Sequence, residues 1–353
     1  MPSLSPCLTA LQPNRYKTML YSLLKPLIFA LDAETAHETS LDLLNTFRFL
    51  IPNTHTPKPV KVMGLNFPNP LGLAAGLDKN ADYLEGLSRF DFGFIEVGTV
   101  TPRAQAGNPQ PRLFRVKQHR SIINRMGFNN KGVDYMLGNI KALPPRNYIL
   151  GINIGKNLTT AVDDALSDYR VALQQVYLAA DYITVNISSP NTPGLRKLQT
   201  GQALRDLLKG ISDCRKALQD EHQCQRPIAL KVAPDIDSDE IKSISALLIE
   251  FGIDGLIATN TTLDRSYIKG HPLEHEAGGL SGAALTEKSR DILYRFKSEL
   301  KDEIPIISAG GIESAEEAQL RLDLGANLIQ IYSAFIYHGP ALIHQIAKSI
   351  TPR

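Results

Sequence analysis

Two lysines, Lys79 and Lys231, follow apolar runs, where a cation removed from water needs an anionic partner. A bound anion or a carboxylate of the same fold could supply it. Four asparagines, Asn153, Asn186, Asn191 and Asn260, each carry a matched donor and acceptor, which suits a ligand with imide edges. Glycines at 76, 282, 310 and 311 let backbone approach a planar ligand or present amides to a phosphate. The chemistry these residues suggest is the binding of a planar, anionic organic molecule. No Gly-x-Gly-x-x-Gly opens a helix after a strand, which disfavours a dinucleotide fold. The three cysteines, Cys7, Cys214 and Cys224, form no Cys-x-x-Cys pair and are too few for an ordinary iron–sulfur cluster. A disulfide framework is excluded too, and no metal centre is expected.

The elements that must position these residues are eight short apolar runs. They are Leu71 to Ala75, Gly93 to Val97, Tyr148 to Asn153, Tyr182 to Asn186, Pro227 to Lys231, Gly255 to Thr259, Pro305 to Ser308 and Leu328 to Tyr332. Amphipathic patterns separate them: Ile241, Ile244, Leu247, Leu248 and Phe251 form one helical stripe, and Ser314 with Glu317 forms a capping box for another helix. Continuous apolar strands alternating with helices predict a parallel sheet with its faces covered. Eight such units predict an α/β fold, a (β/α)₈ TIM barrel, with an open doubly wound sheet as the alternative. Each run ends on glycine or a short polar side chain, and in a barrel those ends converge on the face where active sites are built. One such end is more often a turn or a satisfied core polar group. Eight together favour a site, and Gly310-Gly311 and Tyr332-Ser333 fall where barrels bind phosphate.

The chain has 353 residues, 43% hydrophobic and 21% charged, enough to bury a full core. A net charge of +2 argues against a nucleic-acid partner, which needs a clustered basic footprint. Residues 61–353 hold all eight runs, and residues 1–60 are expected to form a two-helix extension with a proline linker. Residues 1–14 read as a frayed tail. Leu20, Leu23, Leu24, Leu27, Ile28 and Leu31 lie on one helical face, with Pro26 as a kink or restart, and Asp32 is the expected cap of a second helix carrying His37, Leu41, Leu44 and Arg48. Most such stripes face a core. Arg15, Lys17 and Lys25, with no acidic residue before Asp32, also suit a helix lying on an anionic membrane. No run approaches the ~20 apolar residues of a spanning helix, and no signal peptide is legible. The sequons at Asn157, Asn186 and Asn260 are therefore read as coincidental.

Six segments resemble signature segments of dihydroorotate dehydrogenase: Ala74-Ala-Gly-Leu-Asp-Lys79, Asn124-Arg-Met-Gly-Phe-Asn129, Asn186-Ile-Ser-Ser-Pro-Asn-Thr-Pro-Gly194, Ile257-Ala-Thr-Asn-Thr-Thr262, Gly278-Gly-Leu-Ser-Gly282 and Gln330-Ile-Tyr-Ser333. The resemblance runs over nearly all of residues 20–350. Soluble class 1 members carry a cysteine base and lack the N-terminal helices; here Ser189 stands at that position and the extension is present, as in the membrane-associated, quinone-reducing class 2. The resemblance implies an FMN barrel that oxidises (S)-dihydroorotate to orotate in pyrimidine synthesis, with Ser189 as the base. It implies FMN contacts at Ala75, Gly76, Lys79, Thr99, Asn153, Asn186, Lys231, Thr259, Gly282, Gly311, Tyr332 and Ser333. Substrate would be held by Lys79, by Asn124, Arg125, Met126, Gly127 and Phe128, and by Asn186, Asn191, Asn260 and Thr261. His37, Arg115 and Tyr332 would border a quinone tunnel, and the helices would attach the protein peripherally to the cytoplasmic face of the cell membrane. The alternatives are a class 1-like enzyme using fumarate or nicotinamide, disfavoured by Ser189, and a scaffold on a dead barrel, disfavoured because every catalytic-type residue is present.

Overall fold

The computed structural model describes Tyr21 and residues 23–352. The tail of residues 1–14 and the expected helix residues Arg15, Lys17 and Leu20 lie outside the described residues.

Eight parallel strands close into a barrel in the order β3 (Leu71–Leu73), β4 (Phe94–Val100), β7 (Ile149–Ile154), β8 (Tyr182–Asn186), β9 (Ile228–Val232), β10 (Gly255–Ala258), β12 (Ile306–Ala309) and β13 (Leu328–Ile331). Each falls on one of the eight apolar runs. Closure excludes the open sheet: β13 pairs with β3 through Ile329 and Leu71. The strands are mostly apolar because both faces are covered, and all seven residues of β4 are buried. Amphipathic helices form the outer layer; in α6 (Gly201–His222) the buried stripe is Leu204, Leu207, Leu208, Ile211 and Leu218. The helix α7 (Ser238–Glu250) carries a full capping box between Asp237 and Glu240. The box expected at Ser314 is only half formed. Its hydroxyl accepts from the Glu317 N–H at 3.2 Å, but the Glu317 carboxylate turns to Arg290 and Arg321, both at 2.5 Å. Ion pairs with two guanidinium groups outcompete the bond it would otherwise make to an uncharged backbone N–H.

Two small sheets were not foreseen. The hairpin β1 (Val60–Val62) and β2 (Leu65–Phe67) packs Val62 and Phe67 against Phe94, Tyr182, Ile257 and Ile307 inside the barrel. Excursions from the barrel form an antiparallel sheet of β5 (Leu113–Val116), β6 (Ser121–Asn124) and β11 (Gly279–Gly282). Gly279 lies opposite Asn124 in that sheet, and a Cβ there would overlap the Thr261 side chain. Only glycine lets β11 come so close to the loop after β10.

At the N-terminus, α1 is described over residues 23–28 and runs through Pro26; the restart comes at Asp32. That carboxylate accepts from Glu34 and Thr35 N–H at 2.9 and 3.1 Å and caps α2 (Ala33–Thr46). Arg48 lies beyond α2, in the 3₁₀ turn Arg48–Leu50. Leu41 is buried and Leu44 packs on the short helix α3 (Leu84–Leu87). The stripe of α1 does not face a core: Leu23, Leu24, Leu27 and Leu31 are 66, 44, 69 and 45% exposed. Among the described residues no helix is long and apolar enough to cross a membrane.

Candidate active site

One cavity opens at the C-terminal ends of the barrel strands. Its wall includes Ala75, Gly76, Lys79, Thr99, Asn186, Lys231, Thr259, Gly311, Tyr332 and Ser333 at or just past the strand ends, and Asn124, Met126, Gly127, Phe128, Ser189, Asn191, Asn260, Thr261 and Gly282 from the loops and small sheet above. The chain converges there because each strand stops being apolar at that level. Gly76 has φ +106°, and a Cβ on it would meet only the Tyr332 ring at 3.4 Å, so glycine leaves this edge clear for a flat ligand.

A polar network lies below the cavity. Glu96, fully buried on β4, accepts from Asn153 Nδ2 (2.8 Å), Tyr182 Oη (2.8 Å), Thr184 Oγ1 (3.1 Å) and Gln330 Nε2 (2.9 Å). Asn153 Oδ1 in turn accepts from Thr99 Oγ1 at 2.6 Å and Asn186 Nδ2 at 3.2 Å. Since Glu96 takes the donor end of Gln330, its Oε1 is the end left over, and it has no partner. A buried acceptor without a donor costs free energy unless a ligand supplies one.

Lys79 and Lys231 are the strongest charges on the wall, and neither ammonium makes a hydrogen bond or ion pair with the described protein. Burial lowers Lys79 to about 8, opposed by the carboxylates of Glu34 and Asp78 and assisted by Arg112. Burial also lowers Lys231, with Glu96 pulling the other way. No carboxylate among the described residues lies within ion-pair distance of either lysine, which leaves both available to an anionic ligand. Thr261 Oγ1 is likewise buried and unpartnered. Two cations, two unpaired polar atoms and a glycine edge fit a flavin with an anionic substrate beside it.

Above the cavity, Ser188 Oγ donates to Asn186 Oδ1 (2.8 Å) and accepts from Asn260 Nδ2 (2.8 Å), pinning the loop that carries Ser189. Ser189 Oγ accepts from the Asn191 N–H at 3.2 Å, and Asn191 Nδ2 donates to Asn124 O and Oδ1 at 3.1 and 3.2 Å.

Four expected residues stand off the wall. Asn153 sits one layer down. Arg125 turns away to Glu276 at 2.6 Å and stacks on Phe114, because an outward carboxylate satisfies its charge. Arg115 donates to the Ile28 and Leu31 carbonyls and stacks on Phe29, tying α1 to β5. His37 on α2 lies close enough to Lys79 to feel its charge; burial first, then that charge, pushes it down to about 3. Gln330, Ser281 and Glu313 also line the cavity without having been expected. A signal was present for Gln330 and for Glu96 beneath it, each a long polar side chain inside an apolar strand.

The family model of dihydroorotate dehydrogenase matches residues 59–353. A protein of Marinomonas sp. (strain MWYL1) named dihydroorotate dehydrogenase (quinone) is 52% identical over 340 residues, covering 94% of this chain and 96% of its own. One of the same name from Acinetobacter baylyi is 52% identical over 335 residues, 94% of this chain and all of its own. The solved structure of ligand-free type DHODH from Eimeria tenella superposes with a TM-score of 0.83 at 35% identity, over 90% of this chain and 94% of that one.

Proposed function

Because the chain belongs to the dihydroorotate dehydrogenase family, we propose that its cavity binds FMN against the strand ends and oxidises (S)-dihydroorotate to orotate above it, with Ser189 as the base. The chain is a flavin-dependent, quinone-linked member, and the reaction is a step of pyrimidine biosynthesis. The observation that carries the site assignment is the meeting, in one cleft, of Ser189, the four asparagines Asn124, Asn186, Asn191 and Asn260, and two cations, Lys79 and Lys231, with no protein partner among the described residues.

Making the C5=C6 bond of orotate removes a proton from C5 and a hydride from C6. FMN, when bound, supplies the hydride acceptor at N5. Ser189 takes the C5 proton. Serine is a weak base at its free pKa, so the charge forming on its oxygen needs help. The Asn191 N–H aimed at Oγ would stabilise that oxygen as its hydroxyl proton passes to a water of the open cleft while the C5 proton arrives. Asn124, Asn186, Asn191, Asn260 and Thr261 would hold the imide edges of the substrate, with the backbone from Met126 to Phe128 forming one side. Lys79 would pair with substrate or flavin oxygens, and Lys231 would balance the charge the flavin gains on reduction. Ala75, Gly76, Thr99, Thr259, Gly282, Gly311, Tyr332 and Ser333 would complete the FMN bed, and Asn153 would act from below through Thr99 and Asn186. Arg125, ion-paired outward, would contribute through its backbone.

The acceptor is quinone, and the protein is membrane-associated. Residues 1–60 would be the access segment, with the exposed leucines of α1 entering the bilayer surface at the cytoplasmic face and quinone approaching between the helices and the barrel. His37 and Tyr332 would border that approach, and Arg115 would hold α1 beside it. Burial pushes Tyr332 up to about 12, so both side chains are neutral at physiological pH, as suits a neutral apolar ligand. The test is an acceptor screen on purified yellow protein with dihydroorotate as donor. Turnover with ubiquinone or menaquinone analogues and none with fumarate or NAD⁺ is the expected result. Turnover with fumarate alone would overturn the quinone assignment.

A further inference from the structure

Three loops of the proposed site meet at one guanidinium that the mechanism above does not use. Arg196 lies in the 3₁₀ turn Leu195–Gln199, just past the loop of Ser189. Its Nε donates to the Ser188 carbonyl at 3.0 Å, Nη1 to Asp235 Oδ2 at 2.8 Å and Nη2 to the Thr261 carbonyl at 2.8 Å. The first carbonyl belongs to the peptide group whose nitrogen is that of Ser189. The third closes the Asn260-Thr261 pair. Asp235, beyond the end of β9, is itself fixed: it accepts from Thr262 Oγ1 at 2.5 Å and the Leu263 N–H at 2.9 Å, and pairs with Lys288 Nζ at 2.7 Å. The Arg196 side chain is only 19% exposed. A planar fork can reach three acceptors on three segments at once; an ammonium on a flexible stem cannot hold that geometry.

We infer that Arg196, anchored by Asp235, is a positioning residue that sets the height of the Ser189 loop over the substrate loop of Asn260 and Thr261. The inference rests on the reading of Ser189 as the base. Arg196 touches neither substrate nor flavin in this scheme. It acts by holding two carbonyls, and a displacement of about 1 Å in such a support costs about 10²-fold in rate.

The experiment is stopped-flow reduction of the holoenzyme by dihydroorotate in wild type, Arg196→Ala, Ser189→Ala and the double variant. Flavin content, flavin potential and reoxidation by quinone are measured on each. The expected result is a loss of about 10²-fold in the reduction rate for Arg196→Ala, with those three properties unchanged and partial rescue by added guanidinium ion. In the Ser189→Ala background the same substitution should cost little, because the group it positions is already gone. An equal loss in both backgrounds, or a wild-type rate in Arg196→Ala, overturns the inference. A wild-type rate in Ser189→Ala overturns the reading of the base instead. Should Arg196→Ala fail to retain flavin, Arg196→Lys and Asp235→Asn are read in its place. A loss confined to the reductive half supports the clamp, and an unaffected rate overturns it.

Discussion

The mouth of the barrel and the N-terminal helices are held by opposite means. Around the cavity, burial does the work: the strands carry no exposed residue, and the polar groups below the cavity mostly satisfy each other through Glu96 and Asn153. The helices α1 and α2 instead leave Leu23, Leu24, Leu27, Leu31, Leu43 and Phe47 in solvent and attach through separate polar joints. These are Glu34 with Arg112 at 2.6 Å, Lys25 with the Tyr337 carbonyl at 2.8 Å, Lys117 with the Phe29 carbonyl at 2.9 Å and Asp42 with Tyr83 at 2.8 Å. Since α2 also buries Ala36 and Leu41, it is α1 that is held mainly by polar groups and keeps its leucines free for another surface. On the proposed reading the two half-reactions divide along the same line, which makes the contrast testable.

The largest expected effect lies wholly in the barrel. Ser189→Ala should keep its flavin and bind orotate, yet lose about 10²- to 10⁴-fold in the rate at which dihydroorotate reduces the flavin. Single-turnover absorbance at neutral pH measures it, and reoxidation by quinone should be untouched. A second, smaller effect lies at the joint. Arg112 and Glu34 are 10 and 7% exposed, so Arg112→Ala leaves a carboxylate buried without its partner and should cost about 3–5 kcal/mol in chemical denaturation. Replacing both by apolar residues should cost less. A change within about 0.5 kcal/mol for Arg112→Ala would show that the helices do not depend on this joint.

The same contrast explains what could be read from the sequence. All eight barrel strands were legible because burial on both faces forces an unbroken apolar run, and the strand-end residues were legible because polarity resumes where the cavity begins. The hairpin and the small antiparallel sheet were not: Val60–Val62 is only partly buried and Gly279–Gly282 is half glycine, so neither forms the continuous apolar run that marked the equally short barrel strands. Arg112 with Glu34, 78 residues apart, and Arg196 with Asp235, 39 apart, carry no local signature at all. The stripe of α1 was legible as a helix, but periodicity says only that one face is apolar. Which surface covers it is a property of the fold.

Lys79 sharpens the comparison from the barrel side, with an effect of about one order of magnitude. Burial lowers it from 10.5 to about 8. Between those values the unfolded chain keeps a proton that the folded apoprotein has shed, so this group makes stability rise with pH across that window. An anionic ligand must restore the proton, so affinity moves the other way. Titration of the apoprotein with FMN should show binding weakening above pH 8, by at most about tenfold per pH unit, and Lys79→Met should abolish that slope. A flat wild-type profile from pH 7 to 10 would remove Lys79 from the anion site.

The smallest expected effect, on the fold and on flavin reduction alike, comes from replacing Leu23, Leu24 and Leu27 together by serine. Leu23 and Leu27 stand largely in water and Leu24 is about half exposed, so the substitutions remove little packing, and surface changes of this kind usually stay within about 0.5 kcal/mol each. Dihydroorotate should therefore reduce the flavin at the wild-type rate, and the thermal midpoint should hardly move. The bilayer is where the loss should appear. A leucine taken fully out of water contributes roughly 1.5–3 kcal/mol, so three of them, even partly inserted, dominate the affinity of a reversible surface helix. Sedimentation with anionic vesicles should fall by at least about tenfold, and turnover with a long-chain quinone delivered in those vesicles should fall with it, while a short water-soluble quinone is reduced as before. The bond of the Lys25 ammonium to the Tyr337 carbonyl is untouched by the substitutions, and an unchanged thermal midpoint is the check that α1 has stayed docked. Undiminished vesicle binding would mean that the exposed leucines are not the membrane face, and a destabilised fold would mean that α1 is held by its apolar side after all.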